Sequence, residues 1–172
     1  SFAQSAWAAC VLNGTSYKTN SGSGYNVTRT MMLGWTTGDV TTCDVTDESL
    51  NDMSNLFDGK SSFDQDLSAW DTSSVTSMYR MFYNATSLTS VTLPTTGSVA
   101  NMSQMFDGAT SLTNVSLPTT GNVTSMFKTF YDTPNLTTVS LPETGAVTTM
   151  YKMFDSATAI KSVSLPKTGA VT

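Results

Sequence analysis

The chain has 172 residues, with 39% apolar and only 12% charged side chains. That length gives about one domain with enough apolar content for a core, and it argues against disorder, which needs low hydrophobicity and high net charge. The net charge of −5 argues against a nucleic-acid partner, which needs a basic surface to displace counterions from phosphate, and no apolar run reaches the roughly 18–20 residues of a membrane span.

Residues 1–49 follow no repeat. They hold Trp7, Met31, Met32, Leu33, Trp35 and the Gly/Ser-rich stretch from Asn20 to Gly24. We read them as an N-terminal cap or docking segment. The chain's two cysteines, Cys10 and Cys43, both lie here. They read as one disulfide pinning the segment in an oxidising compartment, the alternative being two buried thiols. Two cysteines and no histidine leave almost nothing for zinc.

Residues 50–172 form an array. Leu50 to Ser74 is a variant unit of 25 residues, and regular 24-residue units begin at Val75, Val99, Val123 and Val147. Val75, Met78, Met81 and Phe82 are spaced by three and four, which predicts one face of a short helix. Leu88, Val91 and Leu93 end in the alternation of a short strand. Pro94 stops that strand, and Gly97 supplies a turn to the next unit. The expected fold is therefore an α/β solenoid of leucine-rich-repeat type, with a short parallel strand and a short helix in each unit. Its core would be columns of like residues: Val75, Met78, Phe82, Leu88, Val91 and Leu93, with Phe106, Phe130, Phe154 and Leu165 as later members.

From Met53 to Phe82 the chain reads M-S-N-L-F-D-G-K-S-S-F-D-Q-D-L-S-A-W-D-T-S-S-V-T-S-M-Y-R-M-F. This resembles the BspA-like leucine-rich-repeat family, in the form found in mycoplasmal and other microbial surface proteins. The later M-F-x-x-A-T-S-L-T-x-V-x-L-P units are similar to the same family. The resemblance covers roughly residues 50–172. It implies a secreted or surface-anchored solenoid used in adhesion, with no common catalytic residues.

Other patterns are weaker. The methionine column could suggest a soft metal, but its register with Val and Phe favours packing. Nine of thirteen acidic residues lie between Asp39 and Asp71. Asp64, Gln65, Asp66 and Asp71, or Asp44, Asp47 and Glu48, could offer oxygens to calcium, although neither group has the EF-hand spacing. A solvated acidic surface or capping role is the alternative. Asn13, Asn26, Asn84, Asn101, Asn114, Asn122 and Asn135 lie in N-x-Ser/Thr sequons, which fits a glycosylated secreted protein. Thr96, Thr120, Thr144 and Thr168 form one expected ladder, and Thr92, Ser116, Ser140 and Ser164 another. Such ladders allow an ice- or carbohydrate-binding reading, against the simpler one that they keep the surface soluble. Tyr79, Tyr83, Phe127, Tyr131 and Tyr151 would form a contact stripe if exposed. No histidine serves as a general base and no carboxylate motif marks an active site, so an enzyme is not expected.

The last unit is as apolar as the inner ones and runs into Val171 and Thr172 without a polar cap. Residues 1–74 carry nine acidic and three basic groups, while the last unit carries Lys152, Lys161 and Lys167 against Asp155. An acidic front, with Asp47, Glu48 and Asp52, meeting a basic back suggests head-to-tail stacking of copies. The leading expectation is thus an extracellular structural protein that self-stacks into a filament or layer, without cofactors. The alternative is a monomeric surface adhesin binding a host protein or glycan.

Overall fold

The computed structural model describes residues 10–17, 19, 25–96, 98–117, 120, 122–141 and 146–164. Leu165, Lys167, Thr144, Thr168 and the 20–24 stretch, all named above, lie outside the described residues.

Strands β1 (Cys10–Leu12) and β2 (Thr15–Tyr17) form an antiparallel hairpin. Its Asn13-Gly14 turn has positive φ at both residues, 50° and 84°, as a two-residue hairpin loop demands. Helix α1 (Arg29–Leu33) follows, capped by the Thr28 hydroxyl, and then a 3-10 turn, Glu48–Asn51, capped by Asp47. The Cys10–Cys43 disulfide ties the hairpin to the segment that precedes the array. Closing a loop across a sequence separation of 33 stabilises the fold by about 4 kcal/mol in the chain-entropy account.

The array is a stack of coils. Strands β3 (Ser90–Thr92), β4 (Asn114–Ser116), β5 (Thr138–Ser140) and β6 (Ser162–Ser164) form one parallel sheet in chain order. Val91 pairs with Val115, Val115 with Val139, and Val139 with Val163, so register follows the 24-residue period. A second parallel ladder of bridges runs Asp52–Ser77–Asn101–Ser125–Thr149.

The expected leucine-rich-repeat unit of strand plus helix is not what the chain forms. Among the described residues the helical content is the five-residue α1 and the four-residue 3-10 turn, both before the regular units. Where a helix was expected, each coil is a chain of turns. In the coil from Val75, Met81 N–H donates to Met78 O, Tyr83 N–H to Arg80 O and Ala85 N–H to Phe82 O. Arg80 and Asn84 both have φ of 53°. A left-handed residue at the third position defines a type II turn and cannot sit within a right-handed helix. The amides between these donate outward: Met78, Arg80, Phe82 and Asn84 bond Asn101, Ser103, Met105 and Asp107 of the next coil. An α-helix would have spent every one of those amides internally. The three-and-four spacing of inward side chains is common to both arrangements, which is why sequence periodicity misassigned it.

The core is a set of columns. Phe57, Phe82, Phe106, Phe130 and Phe154 stack with successive ring centroids 5.6, 5.5, 5.5 and 5.4 Å apart and nearly parallel planes. Val75, Met78, Leu88, Val91 and Leu93 are buried beside them. At the front, Trp35 packs edge-on against Phe57 and Phe63, and Trp70 Nε1 donates to Val40 O. Burial thins at the far end: Phe154 and Ile160 are only partly covered, and Val163 is 37% exposed where Val115 and Val139 are 2%.

Truncating a ring between two stacked neighbours leaves a cavity that the flanking coils cannot close. Phe106→Ala is expected to cost about 3–5 kcal/mol of stability, and Phe154→Ala clearly less. Denaturant unfolding of the two variants checks this, and equal losses would contradict the column.

Candidate functional site

The surface of the turn chain carries the densest chemistry. In each regular coil the first left-handed position is held by a long polar side chain: Arg80, Gln104, Lys128 and Lys152, with φ of 52–55°; the variant coil has Asn55 there, with φ of 61°. Holding a side chain there costs about 1–2 kcal/mol relative to the right-handed form, and the neighbours offset part of it. The Arg80 guanidinium lies 4.3 Å from the Tyr83 ring centroid and 5.5 Å from Tyr79. Lys128 Nζ lies 4.4 Å from Tyr131 and 5.7 Å from Phe127. Lys152 lies 5.8 Å from Tyr151 and pairs with Asp155 at 3.5 Å. In the coil between Arg80 and Lys128, Gln104 donates from Nε2 to Asp107, while its Oε1 accepts from Arg80 Nε and Tyr79 Oη. Phe127 and Tyr151 stack at 5.8 Å. The result is a stripe of cations and rings on the coils from Val75, Val123 and Val147, interrupted in the coil from Val99 by Ser103, Gln104 and Asp107; it is half-buried from Tyr79 to Tyr131 and exposed at Tyr151 and Lys152. Each exposed cation–ring contact contributes about 0.5–1 kcal/mol. The stripe's aromatics were visible in the sequence. Its cation column was not, because nothing in the residue types marks a left-handed arginine or lysine.

Two carboxylates border the stripe. Burial pushes the Asp107 carboxyl above its ordinary range, against the Gln104 hydrogen bond and the attraction of Lys128 and Arg80. Burial raises Asp58 too, with Arg80 opposing.

The acidic cluster is explained by local backbone. Asp39, Asp44, Asp47, Asp52, Asp66 and Asp71 each accept the amide two residues on, from Thr41, Thr46, Ser49, Ser54, Ser68 and Ser73. The signal is D-x-[Ser/Thr], the Asx-turn pattern. The Ser49 and Ser73 hydroxyls and amides hold Asp47 and Asp71 below the usual carboxylate range. Asp64 instead binds the Thr89 amide and hydroxyl. Among the described residues no three His, Cys, Asp or Glu side chains converge on a common point.

The end-charge residues are separated by the fold. Asp47 and Glu48 lie at the 3-10 turn; Asp52 bridges to Ser77, and Arg29 binds the Asp52 and Ser54 carbonyls beside it. Lys152 and Lys161 are exposed on the last described coil.

The sequons differ in surroundings. Asn13 is consumed by the hairpin: its amide nitrogen donates to Gly34 O, and its oxygen accepts from the Thr36 and Thr37 amides. Asn135 Nδ2 donates to Thr110 O, and Asn114 Nδ2 to the Thr113 hydroxyl. Asn101 is half-buried in the bridge ladder, while Asn26, Asn84 and Asn122 are exposed. Thr96 and Thr120 are fully buried, so the described members of the first expected hydroxyl ladder lie in the core rather than on the surface. Thr92, Ser116, Ser140 and Ser164 are exposed on the outer sheet face. No helix among the described residues is long and apolar enough to cross a membrane.

A carboxyl whose affinity for a proton is higher in the folded chain costs stability as pH rises through the interval between its ordinary and raised values. Asp107→Asn removes that cost and keeps an acceptor for Gln104. Its stability advantage over the parent is expected to be present at neutral pH and to vanish below the ordinary carboxylate range. Thermal unfolding as a function of pH measures it, and an advantage that grows on acidification would contradict it.

Neither the curated proteins nor the solved structures include a match to the chain. A family model described as "Mycoplasma protein of unknown function, DUF285" matches residues 29–139 and, overlapping them, 89–165. These spans take in the end of the cap, the variant coil and the regular coils through β6, well over half of the sequence, and the chain belongs to that family.

Proposed function

We propose that the chain is an extracellular recognition module, a binding protein rather than an enzyme, that uses the stripe to hold a host protein or glycan. The observation that carries this reading is the stripe itself. Arg80, Lys128 and Lys152 are repeated at one strained backbone position and flanked by Tyr83, Tyr131 and Tyr151. Rings and cations held at fixed backbone positions of the stack, two coils apart from Arg80 to Lys128 and one from Lys128 to Lys152, present an ordered contact surface at little entropic cost. The disulfide agrees with an oxidising exterior, and so does the resemblance to microbial surface repeats. The test is binding of the full chain to arrays of glycans and of matrix proteins. The Tyr83→Ser/Tyr131→Ser variant is expected to lose the array signal at least tenfold while keeping the thermal transition within a few degrees. Retained binding by that variant would sink the reading.

Head-to-tail stacking is a second reading, favoured by the exposure of Tyr151 (57%) and Val163 (37%) on the last described coil. Against it, the front of the first coil is already covered by Trp35, Val40 and Arg29 of the preceding segment. Light scattering and electron microscopy decide: stacking predicts concentration-dependent filaments abolished by Val163→Lys, and monomers at every concentration exclude it.

A further inference from the structure

The two ladders of the stack have different lengths. The bridge ladder reaches the variant coil through Asp52–Ser77, but the strand ladder stops at β3. A strand position beside Ser90–Thr92 is therefore left unfilled by the coil that should supply it.

The cause is one extra residue. Asp52 aligns with Ser77, Phe57 with Phe82, and Asp64 with Thr89, each 25 positions on. By Thr72, aligned with buried Thr96, the offset is 24 again. The insertion thus falls between 64 and 72, in the stretch that would be the strand. A one-residue slip exchanges the two faces of a strand. Accordingly Leu67 is buried where its counterpart Thr92 is exposed, and Asp66 is exposed where Val91 is buried. The chain is drawn aside by Gln65, whose side chain donates to Gly38 O and accepts from Val40 N. Asp64 replaces the missing strand's first carbonyl: it takes the Thr89 amide, whereas Thr113, Thr137 and Lys161 donate theirs to the preceding coil's backbone. Beyond that bond lies an open cleft of about 370 Å³, lined by Asp64, Gln65, Asp66, Thr89, Ser90 and Thr92.

We propose that this vacated position binds an extended peptide segment of a partner protein by strand addition to β3, with small hydroxyl-bearing residues across the strand and a basic residue at its start. An edge strand offers unpaired amides and carbonyls to any chain in register. The cleft's size suits a short segment and not a whole coil. The carboxylates of Asp64 and Asp66 favour a cation at the end that faces Thr89. The inference does not rest on the stripe, which lies on the turn chain.

The probe is a fluorescent octapeptide with the sequence of residues 159–166, A-I-K-S-V-S-L-P. Its central residues already form a parallel strand in this register on β5, and its lysine would fall opposite Thr89. Anisotropy titration into the full chain is expected to saturate. Amide exchange at Ser90–Thr92 is expected to slow on binding. Asp66→Lys is expected to weaken binding at least tenfold, and an analogue N-methylated at its three strand residues should not bind. Absence of saturable binding, equal binding of the methylated analogue, or unchanged exchange at Ser90–Thr92 each overturns the proposal. A dimer that forms through this edge and excludes the peptide overturns it in favour of a second copy as occupant.

Discussion

Every coil in this array depends on where alternate backbone amides point. Between Met78 and Ala85, one set of N–H groups closes turns within the coil and the intervening set bonds the next coil. Each bond contributes only about 0.5–1.5 kcal/mol net, but leaving such an amide buried and unmatched costs more. The geometry therefore binds each coil to its neighbour more strictly than side-chain packing alone would. The left-handed residues at Arg80 and Asn84, and at their counterparts, are the local cost of that arrangement. The stacked phenylalanines offset it by filling the axis of the stack with rings in van der Waals contact.

This routing explains which parts of the molecule were legible in the sequence. The period, the phenylalanine column and the short strand around Val91 follow from side-chain pattern, and the structure places them accordingly. The helix was a misreading with an identifiable cause. Inward spacing of three and four reports which side chains face the core, not which acceptor each amide uses, and a run of turns satisfies the same spacing. The decisive feature, positive φ at arginine, glutamine and lysine, has no compositional mark, since these residues are not turn formers in the way that Asn84 or Gly108 is.

The candidate surfaces divide in the same way. Tyr83 and Tyr131 could be picked out by alternation along the repeat, but their pairing with Arg80 and Lys128 required the turn geometry. The acidic cluster looked like a possible ion site because sequence shows charge density without direction. In space, Asp44, Asp47, Asp52 and Asp71 each turn back on their own backbone. The unfilled strand position was invisible for another reason. The 25-residue length of the variant unit was evident, yet only the alignment of both ladders places the extra residue between 64 and 72.

The like-for-like joint between coils also governs how such a protein can change its length. Because the upper surface of one regular coil is chemically the lower surface of the next, duplication or loss of 24 residues restores an identical seam, and recombination between near-identical repeats would yield foldable products of different height. A change of a single residue would instead interrupt the ladder in which it falls, as the extra residue between 64 and 72 does to the strand ladder while the bridge ladder continues. Gene variants of this architecture should therefore differ in whole storeys, with irregular lengths tolerated only beside a specialised end, as in the 25-residue unit from Leu50 that adjoins the segment before it.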